Sequence, residues 1–237
     1  FFNWDSDWAL DKRSRGLRIS KRHCLERTDI LKNHLIPELG TLKLTAIDRA
    51  VIKNFRNKMF KDGYSGSTIN KCLSALKAIL ETAEEKNLIQ YIPRIDRAAE
   101  NPKQKGILSI EEVKVLFSQE WPDLRGYTGS LLAASSGLRL GALQALTLED
   151  LHLDNNYINI RRSWDKRYQT FTQTTKTGKV RNIFIPANVK NVIIKLIELN
   201  PYKKTDKTFL FFAEKSDSKP CEPEIFTRSL YRALEEI

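Results

Sequence analysis

From Trp4 to Asn87 the apolar residues return every three or four positions, and nowhere in that stretch do they alternate. A chain with this period can bury its hydrophobic side only as amphipathic helices packed on one another. Trp4, Trp8 and Leu10 form the apolar stripe of an opening helix. Ser20 is placed to cap a second helix, in which Cys24, Thr28, Leu31 and Leu35 share one face and which Pro37 and Gly40 end. Thr45 precedes a third helix, with Asp48 completing a capping-box-like start and Ile47, Val51, Phe55 and Met59 on one face; Asp62-Gly63 stops it. A fourth begins near Ser67 and runs through Ile69, Leu73, Leu76, Leu80 and Ala83. Residues 1–97 are expected to form an all-α, four-helix domain.

The period fails between Tyr91 and Gly106, where Pro93, Pro102 and the run Asn101-Pro102-Lys103-Gln104-Lys105-Gly106 read as an interdomain linker, bounded at 98–106. The remainder, 107–237, is mixed. Ser109 and Glu112 have capping-box spacing ahead of Val113, Leu116 and Phe117. Helices are expected from Gly126 to Gly137, from about Gly141 to Leu146, from Asn188 to Leu199 and from Pro223 to Glu236. Between them, Tyr157–Ile160, the residues around Phe171 to Thr175, and Val180–Ile185 have strand patterning. The class expected is therefore α+β and mainly helical, with a small three-stranded antiparallel sheet in the second domain.

Charge narrows the partner. The 237 residues carry a formal net charge of +11. Residues 1–105 hold 21 Lys/Arg against 13 Asp/Glu, a balance of +8, whereas residues 106–237 hold 19 against 16, a balance of +3. A basic excess in the helical half points to a polyanion gripped there. No run approaches the roughly 18 apolar residues of a membrane-spanning helix, so no membrane partner is expected. The three cysteines, Cys24, Cys72 and Cys221, are far apart and include no CxxC pair. That spacing supports neither a disulfide framework nor a zinc ribbon and fits a reducing compartment. His23, His34 and His152 are isolated, so no metal site and no small-molecule cofactor are expected.

Two motifs carry chemistry. In Ser136-Gly137-Leu138-Arg139-Leu140-Gly141-Ala142-Leu143-Gln144-Ala145-Leu146, Gly137 can end one helix in a left-handed conformation, and Arg139 then projects from a tight junction. A guanidinium on a rigid corner can clamp a phosphate with two parallel bonds; taken alone, the same arginine could equally cap a helix or join a salt bridge. The second motif is Thr175-Lys176-Thr177-Gly178-Lys179-Val180-Arg181-Asn182-Ile183-Phe184-Ile185-Pro186, with lysines at a turn between two strand patterns. In the helical half, Thr68, Asn70, Lys71, Ser74 and Lys77 include polar positions off the apolar stripe of the fourth helix, a face that can enter a DNA major groove. Lys21, Arg22 and Arg27 can reach phosphates from the second helix; each of these residues could also be an ordinary solvated surface position.

Together these stretches resemble the tyrosine recombinases. Gly137-Leu138-Arg139 and the following Leu148-Glu149-Asp150-Leu151 are similar to the family's first arginine box, and Lys176 to Pro186 to its β-hairpin. Leu31 to Ile47 and Ser67 to Leu80 are similar to the core-binding, SAM-like domain of phage and transposon integrases. The resemblance implies site-specific recombination of double-stranded DNA without metal or nucleotide, through a 3′-phosphotyrosine, by a tetramer on DNA in a prokaryotic cytoplasm. It makes Arg139 a stabiliser of phosphate charge and Lys176 the general acid, with Lys179 the lesser candidate for that role; Lys179 and Arg181 are further DNA contacts.

The sequence departs from the family twice. No His-x-x-Arg occurs, and Phe226 to Ile237 resembles the helix that precedes that box, so the chain is expected to stop before the nucleophile and not to cut DNA alone. Tyr231 occupies a structural slot of that helix. The acid that usually follows the arginine by three positions is replaced by Ala142. A non-catalytic DNA-binding protein derived from an integrase is the alternative, and a helical adaptor without a DNA role is a third. Salt-dependent duplex binding would separate the adaptor from the other two.

Overall fold

The computed structural model describes residues 1–17, 19–101, 106–172, 180–203 and 205–236. It divides into two compact units, Phe1–Lys105 and Gly106–Ile237.

The first unit is helical. Helix α1 (Asp7–Ser14) is capped by Ser6, α2 (Lys21–Ile30) by Ser20, α4 (Arg49–Lys61) by Asp48 and α5 (Gly66–Glu85) by Ser65, each through a side-chain oxygen that accepts a first-turn N–H. Helix α2 does not stop at Pro37. It widens into a π turn over Leu31–Leu35 and resumes as the short α3 (Ile36–Leu39). Pro37 lacks the N–H that a regular helix would donate to Asn33, and its ring would crowd that carbonyl; a wider turn just upstream relieves the conflict. Thr45 lies in a separate single turn, Leu44–Ala46, and Asp48 caps α4 by itself, its carboxylate accepting the Val51 N–H at 2.8 Å. The core is Phe2, Trp8, Cys24, Leu35, Ile52, Phe55, Met59, Ile69, Leu73, Leu76 and Leu80. Leu10, expected in the apolar stripe, is 50% exposed, and the fully buried Phe2 takes its place by packing edge-on against Trp8.

Residues 91–101 form no helix or strand, as a linker would. They are nevertheless docked: Pro93 is buried, and Ile92, Ile95 and Ala98 pack on the first core. Apolar residues at 92, 95 and 98 keep no helical or strand period, so their burial is not visible as a pattern.

The second unit is α+β. Helices α6 (Ile110–Ser118), α7 (Leu124–Ser136), α8 (Leu140–Gln144), α9 (Ala187–Leu199) and α10 (Pro223–Glu235) surround small antiparallel sheets. Both halves of the Ser109–Glu112 capping box are present. The three-stranded sheet has the order β1 (Leu151–His152), β2 (Tyr157–Ile160), β5 (Arg181–Phe184). Its third member differs from the expectation. Phe171 instead belongs to a separate ribbon, β3 (Ser163–Asp165) with β4 (Thr170–Thr172), in which Trp164 faces Phe171 across the pair. Phe171 stacks on Phe209 and Trp164 meets it edge-on, each ring centroid 5.5 Å from that of Phe209. That aromatic triad draws the ribbon away from β2, and the two-residue β1 is too short to show a period. A last pair, β6 (Phe212–Ala213) with β7 (Ser216–Pro220), completes the unit.

Helices α7 and α10 approach most closely at Gly126 and Gly129. A Cβ at Gly129 would overlap the Phe226 ring, and one at Gly126 would overlap Ser229. Gly129→Ala is therefore expected to destabilise the second unit by about 1–3 kcal/mol, the usual cost of overpacking a filled interface. A shift of the urea unfolding midpoint measures it, and an unshifted midpoint would contradict this packing.

Candidate nucleic-acid interface and catalytic positions

In the first unit, α2, α5 and the docked segment line a groove of 780 Å³. Its walls bring together Arg27, Asn70, Lys71 and Ser74 from the expected set, and add His23 and Arg97. Lys71, Ser74 and Lys77 recur every three residues along the exposed side of α5. Lys21 and Arg22 stand exposed at the start of α2. Arg22 pairs with Glu26 at 2.9 Å and Lys77 with Glu81 at 3.5 Å. Both pairs are exposed, so each contributes at most about 1 kcal/mol, and a phosphate can displace the carboxylate cheaply.

Arg27 is held differently. Its Nε donates to His23 Nε2 at 2.9 Å, and its terminal nitrogens donate to the Ser74 carbonyl at 3.3 Å and the Ser74 Oγ at 3.2 Å. The guanidinium also lies over the Phe2 and Trp8 rings, 5.4 and 5.5 Å from their centroids. Half-burial pulls its pKa below the usual value. Arg27 thus ties α2 to α5 and fixes the groove floor. Asn70 is buried, and its amide is engaged by the backbone of Ala98 and by Glu100. The Oγ1 of Thr68 lies 2.9 Å from that of Ser65 at the helix start. Polar character on one helix face could not distinguish Arg27 and Asn70 from the solvated residues, because the partners that anchor them across the groove are 28 to 47 residues away.

In the second unit, Gly137 caps α7 with a left-handed φ of 65°, and Leu138 is buried behind it. Arg139 follows in extended backbone as the N-cap of α8. Its side chain is exposed, and no carboxylate among the described residues pairs with it. A Cβ at Gly141 would stand 2.5 Å from the Ser163 Oγ, so this glycine lets the β3–β4 ribbon close on α8. Ala142 is buried in the second core, a place an unpaired carboxylate could not occupy cheaply.

The acids in this region lie on the next turn, where they build a cluster that motif reading passed over. Asp150, 2% exposed, accepts from the Thr147 N–H at 3.0 Å and the Thr147 hydroxyl at 2.9 Å. It also accepts from Arg161 Nε at 2.7 Å. Arg162 donates to Glu149 at 2.8 Å and Thr147 Oγ1 at 2.6 Å, with its guanidinium 4.3 Å from the centroid of the Phe171 ring beneath it. The two arginines hold Glu149 below the usual carboxylate range against the opposing effect of burial. The signal was present as acidic Glu149-Asp150 and basic Arg161-Arg162, but only folding sets them face to face.

Arg181 is exposed on β5, opposite Ile160. Lys176 and Lys179 lie outside the described residues. Cys24, Cys72 and Cys221 are free and buried; burial pushes the Cys72 thiol up to about 11 and that of Cys221 up to about 12, leaving little reactive thiolate. Among the described residues no His/Cys/Asp/Glu group could hold a metal ion, and no helix is long and apolar enough to cross a membrane.

Residues 15–60 match the family model for the phage integrase N-terminal SAM-like domain. The chain is 26% identical over 162 residues to the transposase of transposon Tn916 from Enterococcus faecalis, covering 64% of this chain and 39% of that protein. The transposase of Tn1545 from Streptococcus pneumoniae matches to the same extent. The chain thus spans about two fifths of the length of these curated relatives. Among solved structures, the Tn1549 transposon integrase in complex with a circular intermediate DNA superposes with a TM-score of 0.78 at 20% identity, over 97% of this chain and 76% of that one. A lambda integrase dimer bound to a COC′ core site gives 0.67 at 18%, over 96% and 76%. The chain has the fold of these integrases. Within its first unit, residues 15–60 are similar to the phage integrase N-terminal SAM-like domain.

Two outcomes follow from these sites. Asp150→Ala strands two guanidiniums and should cost the second unit about 3 kcal/mol, within the usual range for breaking a buried pair; denaturant unfolding would show it. His23 has its pKa lowered by burial and by Arg27. The stabilisation linked to its neutral form is therefore full above the unfolded value near 6.5 and is lost as pH falls through the lower folded value. The melting temperature should decline over that window, and His23→Gln should flatten the decline.

Proposed function

We propose that this chain is the DNA-gripping and phosphate-activating body of a mobile-element integrase that cuts and rejoins double-stranded DNA at specific sites. The observation that carries the reading is Arg139: an exposed guanidinium at a helix corner buttressed by Gly137, Leu138 and the ribbon seated against Gly141, with no carboxylate neutralising it among the described residues. The cationic faces of α2 and α5 supply the sequence-independent hold on the duplex, through Lys21, Arg22, Lys71 and Lys77. The relatives and structural neighbours are transposases and integrases, several of the latter solved on DNA.

The chemistry follows from that arrangement. In the whole protein a tyrosine oxygen attacks the scissile phosphorus, the bond to the 5′-oxygen breaks, and a 3′-phosphotyrosine conserves the bond energy. Arg139, with a second arginine from a His-x-x-Arg box, stabilises the charge on the non-bridging oxygens. Lys176 donates the proton that the leaving 5′-oxygen takes up. The reverse steps rejoin a new strand, and four subunits hold two sites together. Neither metal nor nucleotide enters this scheme, which runs in the cytoplasm of a prokaryotic host. The 237 residues alone are expected to bind duplex without cutting it.

Ala142 favours a second reading, in which the protein descends from an integrase and only binds DNA. A full-length protein and a nicked duplex decide between them. Covalent protein–DNA complex is expected for the wild type and not for Arg139→Ala. A 5′-thio leaving group needs no proton, so it should restore cleavage to Lys176→Ala. Covalent complex at the normal level after Arg139→Ala, or no rescue by the thio substrate, would sink the assigned roles. No complex from any form would leave the binding-only reading.

A further inference from the structure

The docked segment that follows α5 is attached at more than its apolar residues. Arg49 donates to the Asp96 carboxylate at 3.0 Å and Arg56 to the Asp96 carbonyl at 3.1 Å. Two residues on, the Ala98 N–H donates to Asn70 Oδ1 at 2.8 Å, while Asn70 Nδ2 donates to the Ala98 carbonyl at 3.0 Å and to Glu100 at 2.6 Å. Asn70 is thus fully engaged, and it pairs with Ala98 as one backbone strand pairs with another. The segment then crosses the first turn of α5 so closely that a Cβ at Gly66 would overlap the Ala99 carbonyl. These contacts come from different helices, and they fix the last residues of the first unit before its boundary with the second.

We infer that Asn70 is a positioning residue that locks residues 92–100 onto α5 and thereby sets Arg97 in the wall of the groove, where it can meet a duplex phosphate. This rests on the DNA-binding reading for its functional consequence, but not for the lock itself. Glu100 supports the lock while ionised: its hydrogen bond from Asn70, and then that from Arg97, hold its pKa below the usual value.

The lock and its consequence can be read separately on the whole chain. Trypsin cleavage after Arg94 and Arg97 reports release, because both peptide bonds lie in the docked stretch. Asn70→Ala removes the lock, and Gly66→Ala dislodges the segment without touching it, adding a better helix former at the start of α5. Cleavage at both sites is expected to rise at least tenfold in both variants while the main thermal transition is retained; unchanged cleavage in both would overturn the lock. Binding to a duplex of about three helical turns, roughly 30 base pairs, then tests the consequence. Gly66→Ala and Arg97→Ala should weaken binding by similar factors, and the two combined should lose no more than either alone. Release with affinity unchanged, or additive losses in the double variant, would overturn the role given to Arg97. Failure of the wild type to bind the duplex would refute the DNA reading and leave the trypsin result to judge the lock.

Discussion

A carboxylate removed from water must be satisfied by its surroundings, and Asp150 is almost wholly removed. It takes hydrogen bonds from the backbone and hydroxyl of Thr147 and from Arg161, while Arg162 bridges it to Glu149. Breaking any one of these leaves a buried charge whose desolvation is no longer compensated. The turn after α8 and the junction of β2 with β3 therefore move as one body. Arg139 heads α8, and the β3–β4 ribbon is seated against Gly141 of the same helix. Rigidity at this corner matters for the phosphate-binding role proposed for Arg139, because charge stabilisation falls quickly when a donor is misplaced.

The first unit handles charge in the opposite way. On its outer face Arg22 and Lys77 pair with neighbours one turn away in solvent, where an ion pair is weak and exchangeable. Arg27 is committed, lying over Phe2 and Trp8 and bonded across to α5. A surface with loosely held cations over a fixed framework suits a long polyanion: affinity comes from displaced counterions, and register from the few side chains that cannot move.

Local signals were legible because their physics is local. Ser20 caps α2, the Ser109–Glu112 box opens α6, and Gly137 ends α7 in the left-handed conformation, each a matter of residues within one helical turn. The packing of Ile69, Leu73, Leu76 and Leu80 along α5 follows from their spacing. Other features stayed hidden. Phe171 has strand character, yet its partner was chosen by Trp164 and by Phe209, distant in sequence. Asn70 is as polar as Lys71 beside it, and only the arrival of Ala98 and Glu100 turns it inward.

What the sequence determined by itself was the helical first unit, the mixed second unit, the seat of the basic excess, and the identity of the arginine on its corner. These depend on periodicity, capping and composition, which neighbouring residues settle among themselves. Tertiary structure alone decided which carboxylates collect Arg161 and Arg162, which strand completes the sheet, and that residues 92–100 are part of the first unit. Those outcomes turn on the pairing of groups far apart in the chain, where the cost of burying a polar atom selects its partner and no local pattern records the choice.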